Sequence, residues 1–214
     1  MRDIYHEELD SIGTTLIEMT GLVGSAMERA TKALLESDLH LAESVIAADD
    51  AVDALQQQLD TRALDLLARQ QPVAGDLRTI MTSLRMSADL ERMGDLARHV
   101  AKVARRRYPE PAVPAELHDS IQDMGRIAVE LAAKTATIIE GRDIEVAREL
   151  PADDDAMDQL HRKLFGALLG PDAPYSVEAA IDVTLIGRYY ERYADHAVSV
   201  AKRVVFLVTG EHGD

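Results

Sequence analysis

Two short acidic segments of this chain each occur twice, and this repetition decides the fold. Residues 49–59 read DDAVDALQQQL and residues 154–164 read DDAMDQLHRKL, with six of the eleven letters identical. Residues 91–102 read ERMGDLARHVAK and residues 191–202 read ERYADHAVSVAK, with seven of the twelve identical. The segments recur in the same order at nearly the same spacing, which indicates an internal duplication.

The hydrophobic pattern around these segments is helical. One seam alternates steps of four and three residues through Ile12, Leu16, Met19, Val23, Ala26, Ala30 and Ala33. This spacing places apolar side chains on one face of a helix, as in a helical bundle. No segment shows a sustained alternation of period two, and aromatic residues make up only 4% of the chain. The pattern therefore predicts an all-α protein.

Helix-breaking residues divide the chain into six helices. The predicted breaks fall at residues 37–38, 70–76, 109–114, 141–143 and 170–176. The segment 109–114 contains three prolines and is predicted to be a stiff linker, because proline cannot continue a helix interior. We therefore predict two tandem, pseudo-symmetric three-helix bundles. The first spans residues 1–108, the proline-rich linker spans 109–114, and the second bundle spans 115–214.

Composition narrows the range of functions. The net charge of −15 repels nucleic acid and anionic lipid, so neither is expected as a partner. Cysteine is absent, which excludes disulfides and thiolate metal sites. The longest aliphatic or aromatic run is residues 204–208, far shorter than the roughly 20 residues that cross a bilayer. We expect a cytoplasmic protein without membrane insertion.

Paired acids stand at matched distances from the turn in each half. Acids four residues apart share one face of a helix. The midpoint of positions 53 and 91 is 72, a proline, and the midpoint of 158 and 191 is 174.5, beside Pro174. If each proline marks a turn between antiparallel helices, two acid pairs meet at the same height in each half. The candidate metal ligands are Asp49, Asp53, Glu91 and Asp95, and Asp154, Asp158, Glu191 and Asp195.

Converging carboxylates favour a multivalent cation. Acids four apart repel one another, and a second pair across the hairpin adds to the repulsion, so a bound cation would stabilise the fold. Oxygen ligands suit iron, Mn²⁺, Mg²⁺ or Ca²⁺ better than Zn²⁺ or Cu²⁺. A single acid pair carries little information, since surface acids are usually only solvated. The recurrence in both halves favours metal binding, and the helical wheel places these acids on the outer surface of each bundle.

Other readings of the same acids remain open. A carboxylate-bridged metal-dependent enzyme, either a phosphohydrolase or a ferroxidase, would use the same side chains. However, di-iron helical proteins carry Glu-x-x-His on two helices, and this motif does not occur here. Glycine-rich phosphate loops, serine nucleophile motifs and zinc signatures are also missing. We predict that the protein is not an enzyme. A purely structural helical adaptor is the third possibility.

Three stretches resemble the PhoU family of bacterial phosphate-signalling regulators. Residues 91–95 (ERMGD) and 191–197 (ERYADHA) resemble its paired Glu/Asp-x-x-x-Asp motifs. Residues 69–78 (RQQPVAGDLR) resemble a stretch typical of the family. The resemblance covers nearly the whole chain, and although each motif alone is weak, their combination is specific.

The resemblance implies a function that spacing alone does not. Members of the family are cytoplasmic, non-enzymatic and often dimeric, and they bind multinuclear iron or Mg²⁺/Mn²⁺ through these motifs. They link a phosphate ABC transporter, with its ATPase subunit, to a sensor histidine kinase, and they negatively regulate phosphate uptake and the phosphate-starvation response. The second half departs from the first where Tyr189 replaces Asp89. We therefore expect the two metal sites to differ in occupancy or affinity.

Overall fold

Six long helices make up the part of the chain that the structure describes. The computed structural model describes residues 2–170 and 174–211, and residues 171–173 of the last predicted break lie outside this range. The helices are α1 (Arg2–Glu36), α2 (Leu39–Gln70), α3 (Ala74–Arg107), α4 (His118–Gly141), α5 (Ile144–Leu168) and α6 (Val177–Thr209), with a 3-10 turn (Ala115–Leu117) before α4. The described residues contain no strand, so the prediction of an all-α, six-helix fold is confirmed.

Local sequence explains where the helices end. Asp38 caps α2 by accepting a hydrogen bond of 2.9 Å from the backbone N–H of Leu41, as N-terminal aspartates commonly do. Asp143 caps α5 in the same way. Between α2 and α3 the backbone of Gln71 is left-handed, with φ at 48°, and Pro72 follows it. The turn at Gln71 and Pro72 joins α2 to α3, which pack together, and α5 packs against α6, so the acidic segments lie on two helical hairpins.

The two three-helix bundles share one core. Helices α1 to α3 pack together, as do α4 to α6, and the bundles meet along α1 with α4 and α3 with α6. A side chain at Gly125 would place its Cβ only 2.6 Å from Cγ2 of Thr31, so glycine allows α4 to approach α1 closely. Thr31 and Tyr190 also share a buried hydrogen bond of 2.6 Å between the halves. Buried apolar residues form a continuous cluster across both bundles.

Helices α3 and α6 run antiparallel and are joined by charged side chains. At the C-terminal end of α3, Arg106 and Arg107 both donate hydrogen bonds to Asp182, which is 2% exposed, near the start of α6. Arg107 also pairs with Glu178. Buried carboxylates are stable when paired and hydrogen-bonded. These contacts fix the register of α3 against α6.

A second polar crossing between α3 and α6 is centred on Asp89. Its carboxylate accepts hydrogen bonds from Ser199 Oγ at 3.1 Å and from Arg203 Nε at 2.6 Å, and His196 Nδ1 lies 3.0 Å away. Burial alone would raise the pKa of Asp89, but the bonds from His196 and Arg203 outweigh it and hold that pKa below its usual value. The carboxylate therefore stays ionised inside the interface.

At the contact between α3 and α6 that matches this one in the repeat, aromatic side chains replace the polar ones. Tyr189 occupies the position that matches Asp89, and its ring stacks on His99 with the centroids 5.3 Å apart. The difference between Asp89 and Tyr189 therefore lies in the interface between the halves rather than in the acidic hairpins themselves.

No helix in the described ranges combines the length and the apolar character needed to cross a bilayer.

Candidate metal centres

Each hairpin gathers its four predicted acids into one electrostatic cluster. We call Asp49, Asp53, Glu91 and Asp95 the first cluster, and Asp154, Asp158, Glu191 and Asp195 the second cluster. In both clusters the acids of one helix raise the pKa of an acid on the facing helix, so acids repel one another across the hairpin. Within the described residues, however, no three acidic or histidine side chains are arranged to hold a metal ion.

A cation from the chain itself bridges the first cluster. Arg98 Nη1 lies 2.7 Å from Oδ2 of Asp49 on α2, and Nη2 donates a hydrogen bond to Oδ1 of Asp95 on α3. Arg92 adds ion pairs of 3.4 Å to Glu91 and 3.0 Å to Asp95. The side chain of Arg98 is only 27% exposed, so its charge is poorly screened by water. Much of the repulsion in the first cluster is thus neutralised internally.

Asp49 is buried, in contrast to the expected surface position. It exposes only 7% of its area, and its neighbour across the hairpin is Gly94. A Cβ at Gly94 would lie 3.2 Å from Asp49 Oδ1, so the missing side chain leaves the space into which the carboxylate fits. Burial raises the pKa of Asp49 and Arg98 opposes this rise. The matching residue in the second half is Ala194, and Asp154 is correspondingly less buried.

Among the described residues, no cation bridges the two helices of the second cluster. Val198 stands where the first half has Arg98. Asp154 Oδ1 is buried without a hydrogen-bond partner among the described residues. Burial, together with repulsion from Asp158, Asp195 and Glu191, raises the pKa of Asp154 to about 6. A half-buried acid that is repelled by its neighbours and lacks a partner is strained in the absence of a counter-charge.

Glu191 and His161 complete the surroundings of the second cluster. Burial and the charge of Asp195 raise the pKa of Glu191, while Arg188 and His161 oppose the rise. Arg188 forms an ion pair with Glu191. His161 Nε2 is buried and has no hydrogen-bond partner in the described structure. A Cβ at position 187 would lie 3.2 Å from the imidazole carbon Cδ2, so Gly187 leaves room for this ring.

The two clusters fit a cation to different degrees. The second cluster offers only oxygen donors on its acids. Neither Asp154 Oδ1 nor Asp49 Oδ2 of the first cluster has a hydrogen-bond partner among the described residues, but only Asp49 forms an ion pair there, with Arg98. Such a donor set suits hard cations such as Mg²⁺ and Mn²⁺, and iron. The first cluster has the same acids but already contains a guanidinium. In both clusters the carboxylates would have to rearrange before three of them could hold one ion.

The fold and these clusters define a class of protein: a duplicated, six-helix protein with one carboxylate cluster on a helical hairpin in each half. The family model described as the PhoU domain matches residues 16–104 and 121–204. The chain therefore belongs to the PhoU family, and the resemblance seen in its acidic motifs is confirmed.

The similarity to known proteins extends over nearly the full chain. The phosphate-specific transport system accessory protein PhoU homolog 2 of Mycobacterium tuberculosis is 50% identical over 210 residues, covering 98% of this chain and 99% of the relative. PhoU homolog 1 of Mycobacterium leprae is also 50% identical, covering 98% and 95%. The crystal structure of PhoU from Pseudomonas aeruginosa superimposes with a TM-score of 0.90 at 27% identity, covering 97% of this chain and all of that one.

Proposed function

We propose that this protein is a metal-binding regulatory adaptor that restrains phosphate uptake and phosphate-starvation signalling. In this role it acts in the cytoplasm, as a homodimer, and links the ATPase subunit of a phosphate ABC transporter to a sensor histidine kinase. The proposal is supported by family membership and by relatives that are named accessory proteins of the phosphate-specific transport system. Those names also favour an adaptor over an enzyme.

The observation that carries the metal role is the unpartnered carboxylate oxygen of Asp154. A buried acceptor without a partner destabilises a fold, and three neighbouring acids increase the cost. A cation at this point would satisfy the oxygen and neutralise the repulsion. Binding would then be linked to folding, because the ion prefers the folded arrangement of the acids.

The four acids of the second cluster would hold such an ion, and those of the first cluster would do so once Arg98 has moved. A bound iron, Mn²⁺ or Mg²⁺ supplies the positive charge that the clustered carboxylates lack. The acids lie on two helices of a hairpin, so their shared ligation ties α5 to α6. We propose that this bracing sets the outer surface of the hairpin that protein partners contact.

Elemental analysis of protein purified without chelator tests the metal role. We expect bound iron, manganese or magnesium, and we expect Asp154→Asn/Asp195→Asn to lower both the bound metal and the melting temperature of the metal-loaded protein. Glu140→Gln removes an exposed acid at the end of α4 and serves as the control that should change neither. Metal content and melting temperature that stay the same in the double variant would contradict the metal role.

Binding measurements test the adaptor role. We expect the purified protein to bind the transporter ATPase subunit and the kinase in surface plasmon resonance, and to bind more weakly after chelation. Absence of binding to both partners would contradict the adaptor role. Phosphatase or ferroxidase turnover that disappears in Asp154→Asn/Asp195→Asn would instead favour the enzyme.

A further inference from the structure

The two clusters have different counter-charges at two matched positions: Arg188, which pairs with Glu191, matches Ala88, and the cation that bridges two helices, Arg98, has no charged counterpart. Residues 91–102 and 191–202 are related by an offset of 100, and this offset pairs Arg98 with Val198. All four acids are kept in both halves. Arg98 contacts two of them, whereas Val198 packs against the hydrophobic core. The clusters therefore share their acids but not their charge balance.

Arg98 bridges acids that a metal ion would also have to bridge. Asp49 belongs to α2 and Asp95 to α3, and the guanidinium contacts both. An ion that joins the two helices through these carboxylates competes with both contacts. Arginine does not lose its proton in proteins, so its charge has to move away from the cluster. Its Nε is buried without a hydrogen-bond partner, so the contacts at the tip of the guanidinium hold the side chain in place.

We propose that Arg98 is an internal counter-ion that closes the first cluster to metal, so that the second cluster is the high-affinity site. This inference rests on the metal role proposed above. The first cluster fills only when the guanidinium leaves Asp49 and Asp95. Metal entry there then moves a positive charge from the hairpin toward solvent, whereas entry at the second cluster displaces no cation that bridges two helices, since Arg188 pairs with Glu191 on its own helix.

Two double variants allow the metal affinity of each cluster to be measured separately. Asp158→Asn/Glu191→Gln disables the second cluster and leaves the first intact. Asp53→Asn/Glu91→Gln disables the first cluster but keeps both acids that contact Arg98, so the arginine is not left unpaired. In each background, Mn²⁺ affinity is measured from the electron paramagnetic resonance signal of free aqueous Mn²⁺. Circular dichroism melting confirms that each variant folds.

We expect the second cluster to bind Mn²⁺ at least about tenfold more tightly than the first, because breaking charged hydrogen bonds costs one to two powers of ten in affinity. With the second cluster disabled, Arg98→Val should tighten binding at the first by about the same factor. Arg98→Lys retains a cation and should leave binding weak. Arg105→Val removes an exposed charge of the same helix and should change nothing.

The reciprocal exchange is Val198→Arg, with the first cluster disabled. It should weaken Mn²⁺ binding at the second cluster. If Arg98→Val does not fold, this variant alone tests whether an arginine at this position lowers the affinity for Mn²⁺. Equal affinities of the two clusters, together with no effect of Arg98→Val or Val198→Arg, would overturn the role of Arg98 and leave the metal role standing. Absence of Mn²⁺ binding in both backgrounds would overturn the two together.

Discussion

The two acidic hairpins have the same four acids on the same pair of packed helices. The negative charge of these acids is compensated differently in the two hairpins. In the first cluster Arg98 supplies a cation between α2 and α3. In the second, Val198 supplies none, and Asp154 has a pKa raised to about 6 and a buried oxygen without a partner. After duplication, the clustered acids can thus be retained while the residues that balance their charge diverge.

The crossing between α3 and α6 shows the same kind of divergence. Asp89 contacts His196, Ser199 and Arg203 on α6. At the offset of 100, the matching positions hold Tyr189 and, on α3, Leu96, His99 and Val103. An acid and all three of its partners are therefore replaced together, which leaves a polar crossing at one end and an aromatic one at the other.

The largest expected effect is the loss of the polar crossing. Asp89→Ala leaves three polar partners on α6 without their acceptor and should lower the free energy of unfolding by about 3 kcal/mol at pH 7. Tyr189→Ala, at the matching aromatic crossing, should cost only about 1 kcal/mol because it removes a ring contact. Urea denaturation measures both values.

The effect of Asp89 depends on pH in a defined direction. The folded pKa of Asp89 lies below its usual value, so its stabilising effect is complete above about pH 4 and is lost as the pH falls through the folded pKa. Equal costs for Asp89→Ala and Tyr189→Ala, or a cost of Asp89→Ala that is unchanged at pH 3, would contradict the difference between the crossings.

The next effect is the removal of the internal cation. In metal-free protein, Arg98→Val leaves the buried Asp49 without its ion pair and should lower the free energy of unfolding by about 2 kcal/mol. Val198→Ala, at the matching position, loses only apolar contacts and should cost about 1 kcal/mol. Mn²⁺ should restore the melting temperature of Arg98→Val but not that of Val198→Ala. A melting temperature of metal-free Arg98→Val equal to the wild type would show that the pair with Asp49 does not stabilise the fold.

The smallest effect differs in size between the two clusters. In metal-free protein at pH 8, Asp154→Asn should raise the free energy of unfolding by about 1 kcal/mol, because it removes a repelled charge that solvent only partly screens. Burial also raises the pKa of Asp49, but Arg98 opposes this rise, so Asp49→Asn should give a smaller gain. Chemical denaturation of the two variants side by side compares the two gains.

The gain from Asp154→Asn should disappear in acid. The folded pKa of Asp154 is about 6 and the ordinary value is 3.8, so the folded state binds more protons between these values. The wild-type protein therefore loses stability from this group as the pH rises from about 4 to 6. A gain that persists below pH 4, or a gain from Asp49→Asn at least as large as that from Asp154→Asn, would contradict the difference in charge balance.

The fold and the meeting of the acids could be predicted from the sequence because both follow local rules. Apolar spacing gave the helices, while Asp38, Pro72 and Asp143 marked their ends. The equal distance of the acid pairs from each turn placed them across the hairpin. All of these signals act between residues that are close in the chain or related by the repeat.

The charge balance could not be predicted because it depends on packing. The burial of Asp49 depends on the space left by Gly94, and the position of Arg98 between two helices depends on the hairpin geometry. Comparison of Arg98 with Val198 in the repeat was the available signal. The difference between His161 and its matching residue, Gln56, was a weaker signal that the two clusters have different surroundings. Nothing in the sequence indicated that the ring nitrogen of His161 is buried.

A crystal structure of the wild-type protein with limiting Mn²⁺, with sites located by anomalous scattering, tests the central claim most directly. The account predicts a manganese peak among Asp154, Asp158, Glu191 and Asp195, with Arg98 still between Asp49 and Asp95. Equal peaks at both clusters, a peak at the first cluster alone, or no peak at either would contradict it.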